Sequence, residues 1–327
     1  MNIFRGTDIG IDLGTSKFSI CLRGEGEVAS EAAYVAYRGD RLSEHSLVAF
    51  GDEAKDMLGK VRSGTIQVVS PMRDGIIVDC SMASFILQKM AQKAGIRWRL
   101  GRSSTLVTAL LGSSPLERKA FMNVAESLGS SRVVVLDEPL AAVNALPVDL
   151  SEPYAQMIVD IGEGASEAMV VCYGRKIIGR SIRVGGHSMD EAIIQYARRE
   201  HGIVISNLYA RQIKESIPES IGLRGIDITN AMPMLKPYSI VDIIRLISEV
   251  SEPIVEMVSE LLSVLSPDMA VDLIENGIHL SGGAARSWGL RDRIAAVTDL
   301  DVRLVESPEK AVIRGCEKIL NYVDYVS

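Results

Sequence analysis

The chain has 327 residues, 47% hydrophobic and 24% charged, and 35 basic against 42 acidic residues give it a net charge of −7. That length calls for two domains or one large two-lobed unit, and only 28 glycines and 11 prolines exclude a collagen-like or mainly disordered chain. The acidic balance, with no zinc-finger spacing, speaks against a nucleic-acid partner, and no run is apolar enough over 18 residues to span a bilayer. Cys21, Cys80, Cys172 and Cys316 are scattered without a CxxC, which fits a reducing cytoplasm better than a structural zinc. The opening MNIFRGTDIG lacks the apolar run of a signal peptide.

In chain order, the first element is an apolar strand ending at Asp12, followed by a glycine turn and a second strand-like run, Phe18 to Leu22. Residues 76–79 and 104–111 read as strands. Ser81–Gln92 reads as a helix with Met82, Phe85, Ile86 and Met90 near one face. Ser114-Pro115-Leu116-Glu117 carries a capping residue, a first-turn proline and a reciprocal glutamate, so a helix should run from there to Leu128 and stop at Gly129. The strand Arg132–Leu136 follows.

Residues 155–186 repeat the opening pattern, with Asp160 at the strand end and Ala168 to Cys172 as the second run. Ser188 and Glu191 suggest another capping box, opening a helix with Met189, Ile193 and Ala197 on one side. Residues 218–239 hold three prolines and read as loop, as do 39–47 and 59–66. Apolar periodicity over 240–265, interrupted by Pro253, predicts two helices or one kinked helix. A strand Gly277–Leu280 then leads through SGGAA into a helix from about Ser287. This alternation of strands and helices predicts an α/β chain with mixed sheets covered by helices.

Three glycine turns carry the chemistry. Gly10-Ile11-Asp12-Leu13-Gly14-Thr15-Ser16, Asp160-Ile161-Gly162-Glu163-Gly164 and Ser281-Gly282-Gly283 each let backbone amides approach an anion closely. Asp12 and Asp160 suit a hydrated Mg²⁺ held through its waters. Neither GxxxxGK[ST] nor a correctly placed GxGxxG is present.

With these residues in view, the chain resembles the bacterial actin superfamily, most closely its rod shape-determining MreB family, from about Gly10 to Leu320. The resemblance rests on GIDLGT at 10–15, FGDEAKDML at 50–58, PMRDGIIVD at 71–79, LDEPLAAV at 136–143, MIVDIGEG at 157–164, SIRVGGHSMDEAIIQY at 181–196, GIHLSGGA at 277–284 and ESPEKAVIRGCEKIL at 306–320. It implies the actin-like ATPase fold, shared with heat-shock chaperones and sugar kinases, in two lobes of mixed sheet and helix. The lobes would be 1–145, with a small insertion at about 31–70, and 146–327, with one at about 185–239.

By the same resemblance the cofactors are ATP and Mg²⁺. Glu138 would polarise the attacking water, and Asp12 and Asp160 would organise the metal. Gly14, Thr15, Ser16, Gly162, Glu163 and Gly164 would line the phosphates, Lys214 and Glu215 would reach the ribose and base, and Gly282 and Gly283 would face the adenosine. Self-assembly would be head to tail, into paired protofilaments.

Departures from the family pattern bear on hydrolysis. Glu163 stands where the second phosphate turn normally has glycine, and like charge near phosphate is unfavourable unless Mg²⁺ or an arginine offsets it. Ala165 removes a hydroxyl, Ala284 replaces a third glycine, and Leu110-Leu111 replaces a valine–proline pair.

Arg97-Trp98-Arg99-Leu100-Gly101-Arg102 sets an indole and a leucine among three arginines, a composition suited to an anionic membrane surface, and the resemblance puts its membrane loop there. The resulting expectation is an ATP-binding filament that controls cell shape at the inner membrane face with slow hydrolysis, working with membrane proteins of wall elongation. The alternatives are a nucleotide-bound scaffold with little hydrolysis, an organelle- or plasmid-organising filament, and a small-molecule kinase.

Overall fold

The computed structural model describes residues 8–61, 64–96, 104–130, 132–215 and 222–322. The order begins β1 (Ile9–Leu13), β2 (Lys17–Leu22), β3 (Gly26–Ala32), β4 (Val35–Arg38), β5 (Leu47–Phe50), α1 (Asp52–Asp56), β6 (Ile66–Val69), β7 (Met72–Arg73) and β8 (Ile76–Ile77). It continues α2 (Cys80–Lys93), β9 (Ser104–Ala109), α3 (Pro115–Glu126), β10 (Arg132–Asp137), α4 (Glu138–Asn144), β11 (Gln156–Ile161), β12 (Ser166–Cys172), β13 (Arg175–Ile182) and α5 (Gly186–His201). Then come β14 (Ile203–Val204), α6 (Asn207–Glu215), β15 (Leu223–Asp227), β16 (Pro233–Lys236), α7 (Ile240–Ser263), α8 (Pro267–Asn276), β17 (Ile278–Ser281), a 3-10 turn (Gly283–Arg286), α9 (Leu290–Thr298), β18 (Val302–Leu304) and α10 (Ala311–Tyr322).

Two compact units result. One holds the described residues up to Leu150 together with those from Lys310 onward, and the other spans Ser151–Glu309. The carboxyl-terminal helix therefore packs in the first unit, although it follows the second in sequence.

The two units repeat one topology. The first contains a sheet of order β10-β9-β1-β2-β3 and the second a sheet of order β18-β17-β11-β12-β13. In each, an antiparallel meander of three strands is extended on its first strand by two parallel ones. Parallel strands need helical crossovers, which cover the sheet and let its strands read as unbroken apolar runs. β11 is accordingly buried at every position. The first core gathers Ile9, Ile11, Phe18 and Ile20 with Ile86, Met90, Phe121 and Val124. The second gathers Met157, Val159, Ile161 and Val170 with Met189, Ile193, Ile254 and Val258. Each unit adds a small three-stranded sheet, β5-β4-β6 in the first and β14-β15-β16 in the second.

Several expectations need correction. The region read as loop over 218–239 contains the antiparallel pair β15–β16. Its prolines misled the reading because Pro233 opens an edge strand, where a missing amide costs no ladder bond. The stretch 240–265 is one helix, α7, with Pro253 inside it. The strand at 76–79 shrinks to two residues, and after Gly282 a 3-10 turn precedes α9.

The capping box at Ser114 forms as expected, with Glu117 N–H donating to Ser114 Oγ and Ser114 N–H donating to the Glu117 carboxylate at 2.7 Å. The one expected at Ser188 does not. α5 begins three residues earlier than that cap implies, at Gly186, with Gly185 as its cap. Its first amides, Gly186 and His187, donate to the carbonyls of Gly162 and Glu163 at 2.9 and 2.8 Å. The glycine turn after β11, not a side chain, caps this helix.

α10 lies against α4 and β1 at very close range. A Cβ at Gly315 would stand 1.7 Å from the Ala141 carbonyl oxygen. On its other side Cys316 packs onto Gly10 of β1, where a Cβ would meet Cys21 Sγ at 2.5 Å and Cys316 Cβ at 2.9 Å. Burial pushes the Cys21 thiol up to about 12 and raises that of Cys316 well above its ordinary value.

Candidate functional site

In the first unit, Asp12 is the next-to-last residue of β1, and the chain turns back at Gly14, whose amide donates to the Lys17 carbonyl at 3.0 Å. Asp12 is half-buried, and Thr108 of the neighbouring parallel strand β9 donates its hydroxyl to the carboxylate at 3.0 Å. Burial raises the Asp12 pKa, and the Thr108 bond and the charge of Lys17 oppose the rise. Thr15 accepts the Gly75 amide at 2.8 Å, so the first glycine turn is tied to the 71–79 segment. Leu110, one of the pair that departs from the family pattern, is buried against Gly75.

Glu138 is the first residue of α4, where a carboxylate gains from the helix dipole. The preceding Asp137 does not cap the helix with its side chain. Arg118 holds that carboxylate at 2.8 Å and also donates to the Val135 carbonyl, which fixes the strand-to-helix corner carrying Glu138. Asp12 and Glu138 both lie near enough to Cys316 to add to the upward push on its thiol, behind burial and Cys21.

The second unit repeats the arrangement. Asp160 is the next-to-last residue of β11, the Gly162 amide donates to the Ala165 carbonyl at 2.9 Å, and Ser281 of the parallel neighbour β17 donates its hydroxyl to Asp160 Oδ1 at 2.6 Å. Thr108 and Ser281 are thus equivalent partners for equivalent aspartates. Sequence reading missed Thr108 in this role, since only the sheet order reveals which strand lies beside β1.

It also missed Glu167. This buried residue pairs directly with Asp160 across β11–β12, and the two present carboxylate oxygens within 4.8 Å of each other. Two buried like charges so close are costly unless a cation or proton is shared. The donor set therefore fits a hard divalent ion such as Mg²⁺.

The third glycine turn closes on the second. Gly282 has φ +86°, and a Cβ there would sit 2.3 Å from the Ile161 carbonyl oxygen, so only glycine fits. Gly283 faces open space, and Ala284 is buried beside Gly186.

Glu163 is not a bare carboxylate in its turn. It forms an ion pair with Arg211 of α6. Arg211 also approaches Asp190 of α5 at 3.5 Å, and Lys214 pairs with Asp190 at 2.8 Å while donating to the Gly186 carbonyl at 2.8 Å. Lys214 is 1% exposed, so its ammonium is held inside the unit, whereas Glu215 is exposed. Burial lowers the Lys214 pKa and raises that of Asp190, and their mutual attraction opposes both shifts. Arg97, Trp98, Arg99, Leu100 and Arg102 lie outside the described residues.

Two five-stranded sheets of one topology, each with an aspartate next to last in its first strand and a glycine turn after it, make this an actin-like protein. A crystal structure of MreB5 of Spiroplasma citri bound to AMPPNP matches with a TM-score of 0.89 and 28% identity, covering 99% of this chain and 98% of that one. The MreB/Mbl protein family profile matches residues 6–327, and the chain belongs to that family. The cell shape-determining protein MreB of Escherichia coli K12 is 33% identical over 98% of this chain and 96% of its own length. Mbl of Bacillus subtilis is 28% identical over 97% and 96%. A MamK double helical filament, at 18% identity and a TM-score of 0.78, shares the fold.

Proposed function

We propose that this chain binds ATP with Mg²⁺, assembles head to tail into filaments, and serves cell shape at the inner face of the membrane with slow ATP hydrolysis. The observation that carries the reading is the duplicated strand-end aspartate, Asp12 with Thr108 and Asp160 with Ser281, each beside a glycine turn. Relatives support it, since MreB5 of Spiroplasma citri has been solved with both AMPPNP and ADP.

In this reading Asp12, Asp160 and Glu167 hold the hydrated metal, which would supply charge neutralisation at the phosphates. Thr15, Ser16 and the backbone of the turn 162–164 orient the phosphates, and Gly282 and Gly283 leave room for the adenosine. Glu138 accepts a hydrogen bond from the attacking water and draws its proton. Glu215 reaches the ribose, and Lys214 serves as an internal counter-charge to Asp190. Filament formation follows from contacts that repeat without closing, and nucleotide state would bias the strength of those contacts.

Isothermal titration tests the metal assignment. ATP should bind at least about tenfold more weakly without Mg²⁺, and Asp12→Ala and Asp160→Ala should each lose most of that difference, because each removes a carboxylate from the hydration shell. Metal-independent binding, unchanged in both variants, would remove these acids from the site.

The membrane assignment rests on residues 97–102. Trp98→Ser should lower co-sedimentation with anionic liposomes, and added salt should lower it further by screening the three arginines. Equal pelleting of variant and parent at every salt concentration would exclude this stretch as the anchor.

A further inference from the structure

We propose that Arg211 is a positioning residue whose charge makes a glutamate-bearing phosphate turn compatible with a nucleoside polyphosphate, acting through Glu163 and not as a phosphate ligand. The proposal rests on the nucleotide reading above and adds to it the device by which this particular turn tolerates its carboxylate.

The turn 162–164 is part of a built structure. Its two carbonyls cap α5, so its backbone is fixed by that helix. The Glu163 side chain is 16% exposed and points toward α5 and α6, where a Cβ on Gly186 would stand 2.9 Å from Glu163 Oε2 and equally far from Lys214 Nζ. A lone carboxylate so placed would repel a polyanion at the same turn, and it would also be costly to leave half-desolvated.

Arg211 answers both costs. Its planar fork can serve two carboxylates at once, and it reaches Glu163 with one nitrogen and Asp190 with another. Lys214, one helical turn further along α6, takes the remaining side of Asp190. Two cations and two carboxylates balance. The deeper pair, Asp190 and Lys214, is almost wholly buried and fastens α5 to α6, while the outer pair, Glu163 and Arg211, lies nearer solvent and sets the charge of the turn.

A direct phosphate contact by Arg211 would be a different device, and the two make opposite predictions for a double variant. Titration of ATP with Mg²⁺ on the full chain should show Arg211→Gln binding at least about tenfold more weakly, as expected for uncovering one charge within a few ångströms of the phosphates. Glu163→Gln should bind as well as the parent or better. Glu163→Gln combined with Arg211→Gln should return to within about threefold of Glu163→Gln alone, since no carboxylate is left to neutralise. Arg211→Lys should recover part of the loss, because the charge survives and the fork does not.

A double variant as weak as Arg211→Gln would show that the guanidinium meets the phosphates itself and would overturn the proposal. Parental affinity in Arg211→Gln would overturn it as well. Thermal unfolding without nucleotide accompanies each titration. If Arg211→Gln alone fails to fold, the double variant against Glu163→Gln carries the test, because neither leaves an unpaired carboxylate in the turn. A parent that does not bind ATP at all would overturn the nucleotide reading together with this proposal, whereas a binding parent with an unrescued double variant overturns the proposal alone.

Discussion

Glu138→Ala should lower single-turnover ATP hydrolysis by about 10²–10⁴-fold and leave ATP affinity within about threefold of the parent. A positioned carboxylate acts on the attacking water during the chemical step and contributes little to holding the ground state. The structure favours an effect toward the upper end. Glu138 starts α4 at a corner that Arg118 pins through Asp137 and Val135, so the carboxylate is presented by a fixed backbone. Arg118→Ala should therefore cost part of the same turnover without touching the water. Hydrolysis and affinity measured under polymerising conditions decide the matter. A parent whose turnover equals that of Glu138→Ala would leave the nucleotide-bound scaffold as the function.

Gly315→Ala should destabilise the first unit by about 1–3 kcal/mol net. The added Cβ would stand 1.7 Å from the Ala141 carbonyl oxygen and 2.5 Å from its carbon, so backbone meets backbone and no side-chain rotation relieves the clash. Alanine gains up to about 1 kcal/mol over glycine inside a helix, which the displacement of α10 from α4 must exceed. Hydrogen exchange locates the loss. Protection should fall in α4, α10 and β1 and persist in β11 and β12. Gly283→Ala is the control, because a Cβ there meets nothing within 4 Å and stability should barely change. Unaltered protection in Gly315→Ala would contradict the close approach of the two helices.

The duplicated aspartate turns were legible in the sequence because each is local: a strand, an acid and a glycine within a few residues. Ser114 with Glu117 was legible for the same reason. Ser188 with Glu191 offered an identical local signal and failed, because carbonyls 24 residues away in the Gly162–Glu163 turn satisfied the helix start first. Arg211 carried no signal in the sequence, since its partner Glu163 is 48 positions distant and charged residues on a short helix usually face water. Glu167 could have been found: it stands seven residues after Asp160, as Ser19 stands seven after Asp12, and both pair across their hairpins. The strand β16 was hidden by Pro233, which opens an edge strand, where a missing amide is tolerated.

The return of α10 to the first unit also sets an order on synthesis. Chains leave the ribosome from the amino terminus at about 5–20 residues per second, so β1 emerges roughly 300 residues before the helix that covers Gly10. The second unit, contiguous over Ser151–Glu309, can close on itself while the first still lacks its final helix. Until then Gly10 and Cys21 lack the cover of Cys316 and Leu320, and a nascent chain stalled before residue 311 leaves the first unit incomplete. Loss of α10 is thus a lesion of the first unit, even though the helix follows the second unit in sequence.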